Sequence, residues 1–383
     1  MKAGVYIHIP FCKSRCSYCD FATDVYRNND AVERYVAALC AEIQDSRFKI
    51  QDPKSEISNP KSQIETIYFG GGTPSLLSAN QLEKILAAIY QKFDVERAIE
   101  FTLEMNPATV SLEKLRDFRS LGVNRASFGV QTFNDRALKL LARGHDADDA
   151  RKTFELLRAS GFDNISFDLI AGLPGQTLAD WEKNLDEALG LNPEHLSLYL
   201  LEVHEATPLA EQIRSHRQPA PDEDLAAEMY ELMIEKTAAK GFAQYEISNF
   251  SRGGLDSRHN TKYWLCEPVF AFGVSAHSFD GSNRRANERD TNRYVSLVEN
   301  NQSTIVYDEK IDLASEFVFL NLRMMRGVDL KIYEKKFGAD LVSKYAEDLE
   351  RLTSLGLIEI IENRLRLTRQ GSLFSNEVFA VFV

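Results

Sequence analysis

The feature that most constrains the fold is a repeat of six short apolar runs, each followed by a helical pattern, over the first half of the chain. The runs have the usual length of strands and are rich in β-branched or aromatic residues. They lie at residues 5–9, 66–69, 99–104, 126–130, 165–170 and 196–201. Because strand–helix–strand units place their strands side by side in parallel, the repeat predicts an α/β fold with a parallel sheet, closed or partly closed as a barrel. In such barrels the chemistry lies at the carboxyl ends of the strands.

The second half of the chain departs from this repeat. A polar, proline-containing connector at residues 214–224 predicts that the barrel spans residues 1–215 and that residues 216–305 form a linking region. Residues 306–383 predict a separate α+β winged-helix-like domain, with helices at 313–326 and 339–355 before two strands. Two local expectations complete the outline: Asn29 or Asp30 as the N-cap of the first helix, and a solvated loop at residues 51–63.

Charge and hydropathy restrict the possible partners. The formal net charge of −12 argues against nucleic acid, which requires a basic surface. No uninterrupted apolar run approaches the roughly 20 residues of a membrane span. Cysteines begin at residue 12, which leaves no room for a signal peptide before them. We therefore expect a cytoplasmic protein, in whose reducing compartment clustered cysteines serve as metal ligands or redox groups.

Three of the five cysteines, Cys12, Cys16 and Cys19, form the pattern C-x3-C-x2-C directly after the first predicted strand. Structural zinc takes four ligands and disulfides need an even number, whereas thiolates are the ligands of iron–sulfur clusters. Three thiolates leave one iron of a [4Fe–4S] cluster open to a small molecule. The alternative is zinc completed by a distant His or Asp. The spacing resembles that of the radical SAM superfamily, in which S-adenosylmethionine binds the open iron.

Polar and glycine residues stand at successive strand ends, where such a cofactor would need them. A glycine run lets the backbone approach a ligand closely, and acids near a ribose and an arginine near a carboxylate are sensible partners. For any single residue the alternative is a capped loop or a surface ion pair. The residues are Gly71, Gly72 and Thr73 in FGGGTPS, Glu104 in LEMNP, Gln131 in FGVQTF, Arg143 in LLARGH, and Asp168 in SFDLIAGLPGQT.

With YIHIPFC and RGH, these motifs resemble the oxygen-independent coproporphyrinogen III oxidase (HemN-like) group over essentially the whole chain. The resemblance implies a partial (β/α)6 radical SAM barrel, with Cys12, Cys16 and Cys19 as ligands of a [4Fe–4S] cluster. It also implies contacts to S-adenosylmethionine from Tyr6, Gly71, Gly72, Thr73, Glu104, Gln131, Arg143 and Asp168.

Three features are typical of the HemW branch of this group rather than of the dehydrogenases. Phe21 stands where the dehydrogenases carry a fourth cysteine, only eleven residues precede Cys12, and RHNTKYW contains an H-N-x-x-Y-W motif beginning at His259. The resemblance implies a heme chaperone that passes heme to acceptor proteins such as respiratory enzymes, with His259 as a heme contact and homodimerisation as an option.

Other interpretations remain open at this point. The enzyme alternative is a coproporphyrinogen dehydrogenase or another radical SAM enzyme acting on a tetrapyrrole, and an RNA-modifying enzyme fits the acidic charge poorly. His259 and Asn260 could instead cap a loop while Tyr263 and Trp264 pack in the interior. We also expect His8 to support the cysteine loop. His277 in FGVSAHSF could be a second heme or substrate contact, but its apolar neighbours favour a buried histidine held by backbone.

Overall fold

The computed structural model describes residues 2–26, 28–46 and 61–383, so the predicted loop at 51–63 lies outside the described residues as far as residue 60. In these residues the strands are β1 (Ala3–Ile9), β2 (Phe11–Cys12), β3 (Asp24–Val25), β4 (Gln63–Gly71), β5 (Asp94–Met105), β6 (Arg125–Gln131), β7 (Ile165–Ala171), β8 (His195–Leu200), β9 (Ala243–Glu246), β10 (Asn249–Ser251), β11 (Val269–Phe272), β12 (His277–Phe279), β13 (Asn283–Asn287), β14 (Ile305–Lys310), β15 (Val328–Asp329), β16 (Ile358–Ile361) and β17 (Arg364–Leu367).

The helices are α1 (Asn29–Asp45), α2 (Ala79–Lys92), α3 (Leu112–Ser120), α4 (Asp135–Leu140), α5 (Ala147–Ala159), α6 (Leu178–Leu191), α7 (Pro208–Arg214), α8 (Glu223–Ala239), α9 (Arg258–Trp264), α10 (Thr291–Glu299), α11 (Leu313–Leu322), α12 (Leu330–Phe337), α13 (Leu341–Lys344), α14 (Ala346–Ser354), α15 (Arg369–Leu373) and α16 (Ser375–Phe379), with a 3-10 turn at Pro74–Leu76. No helix in the described part of the chain is long and apolar enough to cross a membrane.

One sheet holds twelve strands in the order β14-β13-β12-β11-β1-β4-β5-β6-β7-β8-β10-β9. The strands from β11 to β8 pair in parallel, and antiparallel pairs extend the sheet at both ends. The six predicted strands are β1, β4, β5, β6, β7 and β8, and they lie side by side in chain order. The predicted α/β partial barrel is therefore confirmed.

Helix boundaries follow local capping chemistry. Helix α1 begins after Asn28, whose side chain accepts from the N–H of Ala31, so the predictions of Asn29 and Asp30 as N-cap were wrong by one and two positions. Reciprocal capping boxes begin α2, α5 and α6. Apolar residues of these helices, such as Leu39 and Trp181, lie in the core that covers one face of the sheet.

The sequence predicts a strand at residues 243–247, where β9 lies, but it does not predict β10–β13. Residues 216–305 contain β9–β13, all of them in the large sheet, and β11 pairs directly with β1. The boundaries at 215 and 305 stay predictions. In residues 306–383, helices surround a small sheet in the order β15-β17-β16, as expected for a winged-helix-like α+β unit. The helix predicted at 339–355 is divided into α13 and α14 at Tyr345.

Candidate functional site

The cysteine loop runs from the end of β2 to the start of β3 and is fixed by backbone hydrogen bonds. Ser17 anchors its middle: its N–H donates to the carbonyl of Leu141 (2.9 Å), and its own carbonyl accepts from the N–H of Leu209 (2.8 Å). The carbonyl of Cys12 accepts from the N–H of Tyr26 (2.7 Å), where the loop returns to the sheet. The three cysteines therefore lie on an ordered loop at the carboxyl end of β1.

The thiols of Cys12, Cys16 and Cys19 are free, and none of them forms a disulfide. Burial raises the pKa of Cys12 to about 11, although a hydrogen bond from Thr73 (Oγ1–Sγ 3.5 Å) opposes the shift, and burial also raises the pKa of Cys19. Arg143 places Nη1 3.4 Å from the sulfur of Cys16. Thiols buried in this way become thiolates when a metal replaces the proton.

In the described ranges, no three His, Cys, Asp or Glu side chains meet at one point as ligands of a single ion. Each cysteine of a [4Fe–4S] cluster binds a different iron atom, so a cluster does not require such a meeting point.

The FGGGTPS motif forms a tight turn after β4. Gly71 has φ +105°, and a Cβ there would lie 2.6 Å from the His8 ring, while a Cβ on Gly72 would lie 2.7 Å from the carbonyl oxygen of Pro10. The N–H of Gly71 donates to Glu104 Oε2 (3.1 Å), and Tyr68 donates to Glu104 Oε1 (2.6 Å). Burial raises the pKa of Glu104 to about 7. A turn that binds a cofactor needs backbone that the ligand can approach closely and a carboxylate whose position is fixed by hydrogen bonds.

Arg143 and Gln131 meet over Gly129. The guanidinium of Arg143 donates to the Gly129 carbonyl (2.6 Å) and to Asn106 Oδ1 (2.9 Å), and a Cβ on Gly129 would lie 2.6 Å from Gln131 Nε2. Gln131 itself has φ +67°. Asn106 also donates to Thr73 Oγ1 (2.7 Å), so it links the glycine turn to the arginine.

The barrel interior carries polar side chains at alternate positions of neighbouring strands. Asp168 accepts from Ser127 (3.3 Å), and burial raises the pKa of its carboxyl group. Arg125 is 1% exposed, and its Nε and Nη1 have no hydrogen-bond partner in the described part of the protein. Strand register sets this pattern, because successive side chains of a strand point to opposite faces. This face of the sheet therefore carries buried polar side chains rather than apolar ones.

Tyr6 and His8 of β1 face this interior. Tyr6 donates its hydroxyl proton to His8 Nδ1 (3.2 Å), since His8 Nε2 donates to the carbonyl of Ala22 (2.9 Å) just after the cysteine loop. The structure thus places His8 where it supports that loop, as expected. Burial lowers the pKa of His8, which keeps its ring neutral.

The H-N-x-x-Y-W motif forms helix α9, which begins with the N–H of His259 donating to Glu100 (2.9 Å). His259 is 1% exposed: Nδ1 bonds to Thr66 (2.9 Å), Nε2 bonds to Tyr263 (3.2 Å), and the ring stacks on Tyr68 at 5.0 Å. Burial lowers the pKa of His259 to about 3. Direct coordination of iron by His259 would require one of these two bonds to break, and its predicted heme contact stays a prediction.

A cavity of about 310 Å³ opens beside the cysteine loop. Its walls include Tyr6, Phe21, Tyr263, His277 and Arg289. The prediction that His277 is buried was wrong: it is the first residue of β12, its side chain is exposed, and it lines the cavity at the edge of the strand. The apolar neighbours Ala276 and Phe279 are themselves buried, so they predicted a burial that the side chain of His277 does not share.

Four site residues were missed: Tyr68, Asn106, Arg125 and Ser127. Asn106 stands in the quoted LEMNP motif, and Tyr68 and Ser127 alternate with apolar residues along predicted strands, which is the signal that could have identified them. Arg125 directly precedes the strand predicted at 126–130 and keeps the same alternation.

Comparison with known families gives two matches. Residues 6–188 match the radical SAM superfamily, and residues 308–374 match the HemN C-terminal domain. The first match contains the cysteine loop, the glycine turn and every polar residue predicted to contact S-adenosylmethionine. The second lies within residues 306–383.

Full-length relatives carry a more specific name. A Bacillus subtilis protein named heme chaperone HemW is 38% identical, with 100% of this chain and 99% of the relative covered. The heme chaperone HemW of Mycobacterium tuberculosis H37Rv is 33% identical, with 98% of this chain and 93% of the relative covered. A mouse protein named radical S-adenosyl methionine domain-containing protein 1, mitochondrial, is 33% identical, with 97% of this chain and 85% of the relative covered.

Among solved structures, coproporphyrinogen III oxidase (HemN) from Escherichia coli, described as a radical SAM enzyme, superposes with a TM-score of 0.84. It covers 100% of this chain and 90% of its own, at 23% sequence identity. At that identity the likeness shows a common fold, including the C-terminal unit.

Proposed function

Because this chain belongs to the HemW family of radical SAM proteins, we propose that it is a heme chaperone. It binds heme and transfers it to acceptor heme proteins such as respiratory enzymes, and it carries a [4Fe–4S] cluster and S-adenosylmethionine. The observation that carries this proposal is the cavity that opens directly beside the cysteine loop, with aromatic side chains, two histidines and an arginine in its walls. Cytoplasmic location and homodimerisation stay predictions.

Cys12, Cys16 and Cys19 are the proposed cluster ligands. A cluster held in this way supplies an electron and an iron atom open to a small molecule. Their loop is ordered by Ser17, and Arg143 places a fixed positive charge 3.4 Å from the sulfur of Cys16. These features fit a cluster better than a solvated metal site.

The residues around the glycine turn are the proposed contacts to S-adenosylmethionine. Its amino group is a cation, which suits the carboxylate of Glu104. Its carboxylate suits Arg143, whose buried Nε has no hydrogen-bond partner in the described chain. Asp168 is held where a carboxylate can accept from ribose hydroxyls. The full proposed set is Tyr6, Gly71, Gly72, Thr73, Glu104, Gln131, Arg143 and Asp168.

The proposed heme site is the 310 Å³ cavity. That volume is at the lower end of the range of about 300–1,000 Å³ for small-molecule pockets, so part of a porphyrin would remain accessible. An accessible edge suits a ligand that must be handed to another protein. His259 belongs to the proposed site through its bond to Tyr263, which lines the cavity.

The experiment uses the full chain, anaerobically reconstituted with four iron and four sulfide per molecule. Heme uptake is titrated first, and transfer is then followed with an apo-heme protein as acceptor. The same preparation is assayed with coproporphyrinogen III, S-adenosylmethionine and a reductant. We expect about one heme per chain, transfer to the acceptor, and no protoporphyrinogen. Protoporphyrinogen together with 5′-deoxyadenosine would identify an enzyme instead.

The matched controls for the cluster are the two other cysteines. Cys12→Ser, Cys16→Ser and Cys19→Ser should each lose most of the bound iron, whereas Cys40→Ser and Cys266→Ser should retain it. Cys40 lies on α1, where its thiol donates to the carbonyl of Lys84 (3.6 Å), and Cys266 is buried after α9. Equal iron loss in all five variants would remove the assignment of the cluster to the loop.

A further inference from the structure

His277 differs from the other histidines of the described chain. His8, His145, His195 and His259 are buried and hydrogen-bonded. His204 and His216 are exposed but do not line the cavity. His277 is exposed, lies in the cavity wall, and has no hydrogen-bond partner among the described residues. Its imidazole nitrogens are therefore available to a ligand.

The chemistry around His277 favours a neutral imidazole. Partial burial and the charge of Arg284 both lower its pKa. A neutral ring nitrogen has a free lone pair, which is the form that binds metal ions. The other histidine in the cavity wall, His8, already uses both ring nitrogens, one with Tyr6 (3.2 Å) and one with the carbonyl of Ala22 (2.9 Å).

The rest of the wall suits a flat, largely apolar ligand with carboxylates at its edge. Phe21 is 66% exposed on the cysteine loop, an unusual position for a large apolar side chain, and Tyr263 adds a second aromatic ring. Arg289 donates to the carbonyl (2.7 Å) and to Oδ1 (3.2 Å) of Asp20, and it remains mostly exposed at the cavity rim. A second carboxylate can bind the same guanidinium.

We propose that this cavity binds an iron porphyrin, with His277 as an axial ligand of the iron and Arg289 as the partner of a propionate. The proposal rests on the proposed heme-binding function and names the residues that perform it. It assigns the H-N-x-x-Y-W helix a different task from iron coordination: His259 holds Tyr263 by a hydrogen bond (3.2 Å), and Tyr263 forms part of the cavity wall.

The test titrates ferric heme into the full chain with its reconstituted cluster, for the wild type, His277→Ala, His259→Ala and His204→Ala. Difference absorption and EPR of the ferric heme report the axial ligand, and the oxidised [4Fe–4S] cluster is silent in EPR. We expect His277→Ala to weaken heme binding about tenfold or more and to lose the histidine-ligated spectrum. Added imidazole should restore that spectrum, which a misfolded variant would not allow. His204→Ala, an exposed histidine outside the cavity, should match the wild type.

The outcomes separate this proposal from the function on which it rests. If the wild type takes up heme and His277→Ala keeps both its affinity and its spectrum, the axial-ligand proposal is overturned while the chaperone proposal stands. If only His259→Ala loses the histidine-ligated spectrum, His259 is the iron ligand, and the proposal for His277 is overturned. If the wild type itself takes up no heme, the proposed function fails. A fourth variant, Arg289→Gln, should weaken heme binding several-fold without changing the spectrum.

Discussion

Arg143 lies with Nη1 3.4 Å from the sulfur of Cys16, 127 residues earlier in the chain. The same guanidinium donates through Nη2 to Asn106 and to the carbonyl of Gly129. Its charge therefore stands between the proposed cluster and the proposed site for S-adenosylmethionine, held by bonds that fix its plane. This arrangement makes the geometry of the guanidinium testable separately from its charge.

We predict that Arg143→Lys weakens binding of S-adenosylmethionine about tenfold. Lysine keeps the positive charge but lacks the planar fork that binds a carboxylate with two hydrogen bonds. Equilibrium dialysis of the reconstituted protein measures the affinity, and iron content shows whether the cluster is retained. Arg136→Lys on the exposed face of α4 is the matched control and should bind normally. Equal affinities in both variants would contradict the assigned role.

We predict that Gly71→Ala lowers the free energy of unfolding by about 2 kcal/mol or more and abolishes binding of S-adenosylmethionine. A Cβ at this position meets the His8 ring at 2.6 Å, and the backbone has φ +105°. Gly161→Ala separates the two causes, since Gly161 has φ +87° with nothing within 4 Å of its Cβ. Urea unfolding should show a smaller loss in Gly161→Ala and unchanged ligand binding. The steric account fails if both substitutions cost the same.

Much of the barrel could be predicted from sequence because its strands are long, apolar and separated by helices. Strand β7, for example, reads ISFDLIA and is buried at every position except Asp168, which is partly buried and faces the interior. Strands β12 and β13 could not be predicted in this way, since they are three and five residues long and contain histidine, arginine and asparagine. Their pairing depends on β11 joining β1, a contact between the two halves of the chain.

The candidate site shows the same difference between residues placed by local sequence and residues placed by long-range packing. Motif residues next to strand ends, such as Glu104 and Gly71, could be predicted because local sequence places them there, and they are hydrogen-bonded to each other. The surroundings of His259 could not be predicted, because its partner Thr66 is 193 residues away. Which of the two histidines lines the cavity depends on how α9 and β12 pack, and no local pattern encodes that packing.

We predict that acid destabilises the fold partly through His259. Its folded pKa is about 3, whereas an unfolded histidine titrates near 6.5, so the unfolded chain binds an extra proton below pH 6.5. The stability that the neutral ring contributes is present above pH 6.5 and is lost as pH falls from 6.5 towards 3. Between pH 7.5 and 5.5 the loss from this residue should be about 1 kcal/mol.

The measurement is urea unfolding at both pH values, under anaerobic and reducing conditions, for the wild type and His259→Gln. The variant should be less stable at pH 7.5, since Gln cannot reproduce both ring hydrogen bonds, but its stability should fall less on acidification. His216→Gln, in which an exposed histidine is replaced, should keep the pH dependence of the wild type. An identical pH dependence in His259→Gln would show that the ring titrates normally in the folded protein.

The C-terminal unit is tied to the barrel through Arg323, and this contact gives the last prediction. Arg323 follows α11, lies over the ring of Trp264 (4.3 Å) and pairs with Glu246 (3.5 Å), whose side chain is fully buried. Removing the arginine leaves Glu246 Oε2 without any partner, because Asn249 and Ser248 bond only to Oε1. An unpaired buried charge of this kind costs about 3 kcal/mol.

We therefore expect Arg323→Met to lower the free energy of unfolding by about 3 kcal/mol, and Arg326→Met, an exposed arginine three residues later, to change it by less than about 0.5 kcal/mol. The double variant Arg323→Met with Glu246→Gln should recover part of the loss, since it removes the charge that was left unpaired. Because Trp264 ends the helix that carries Tyr263, Arg323→Met should also weaken heme uptake. Full stability with unchanged heme uptake would show that the two units do not communicate through this contact.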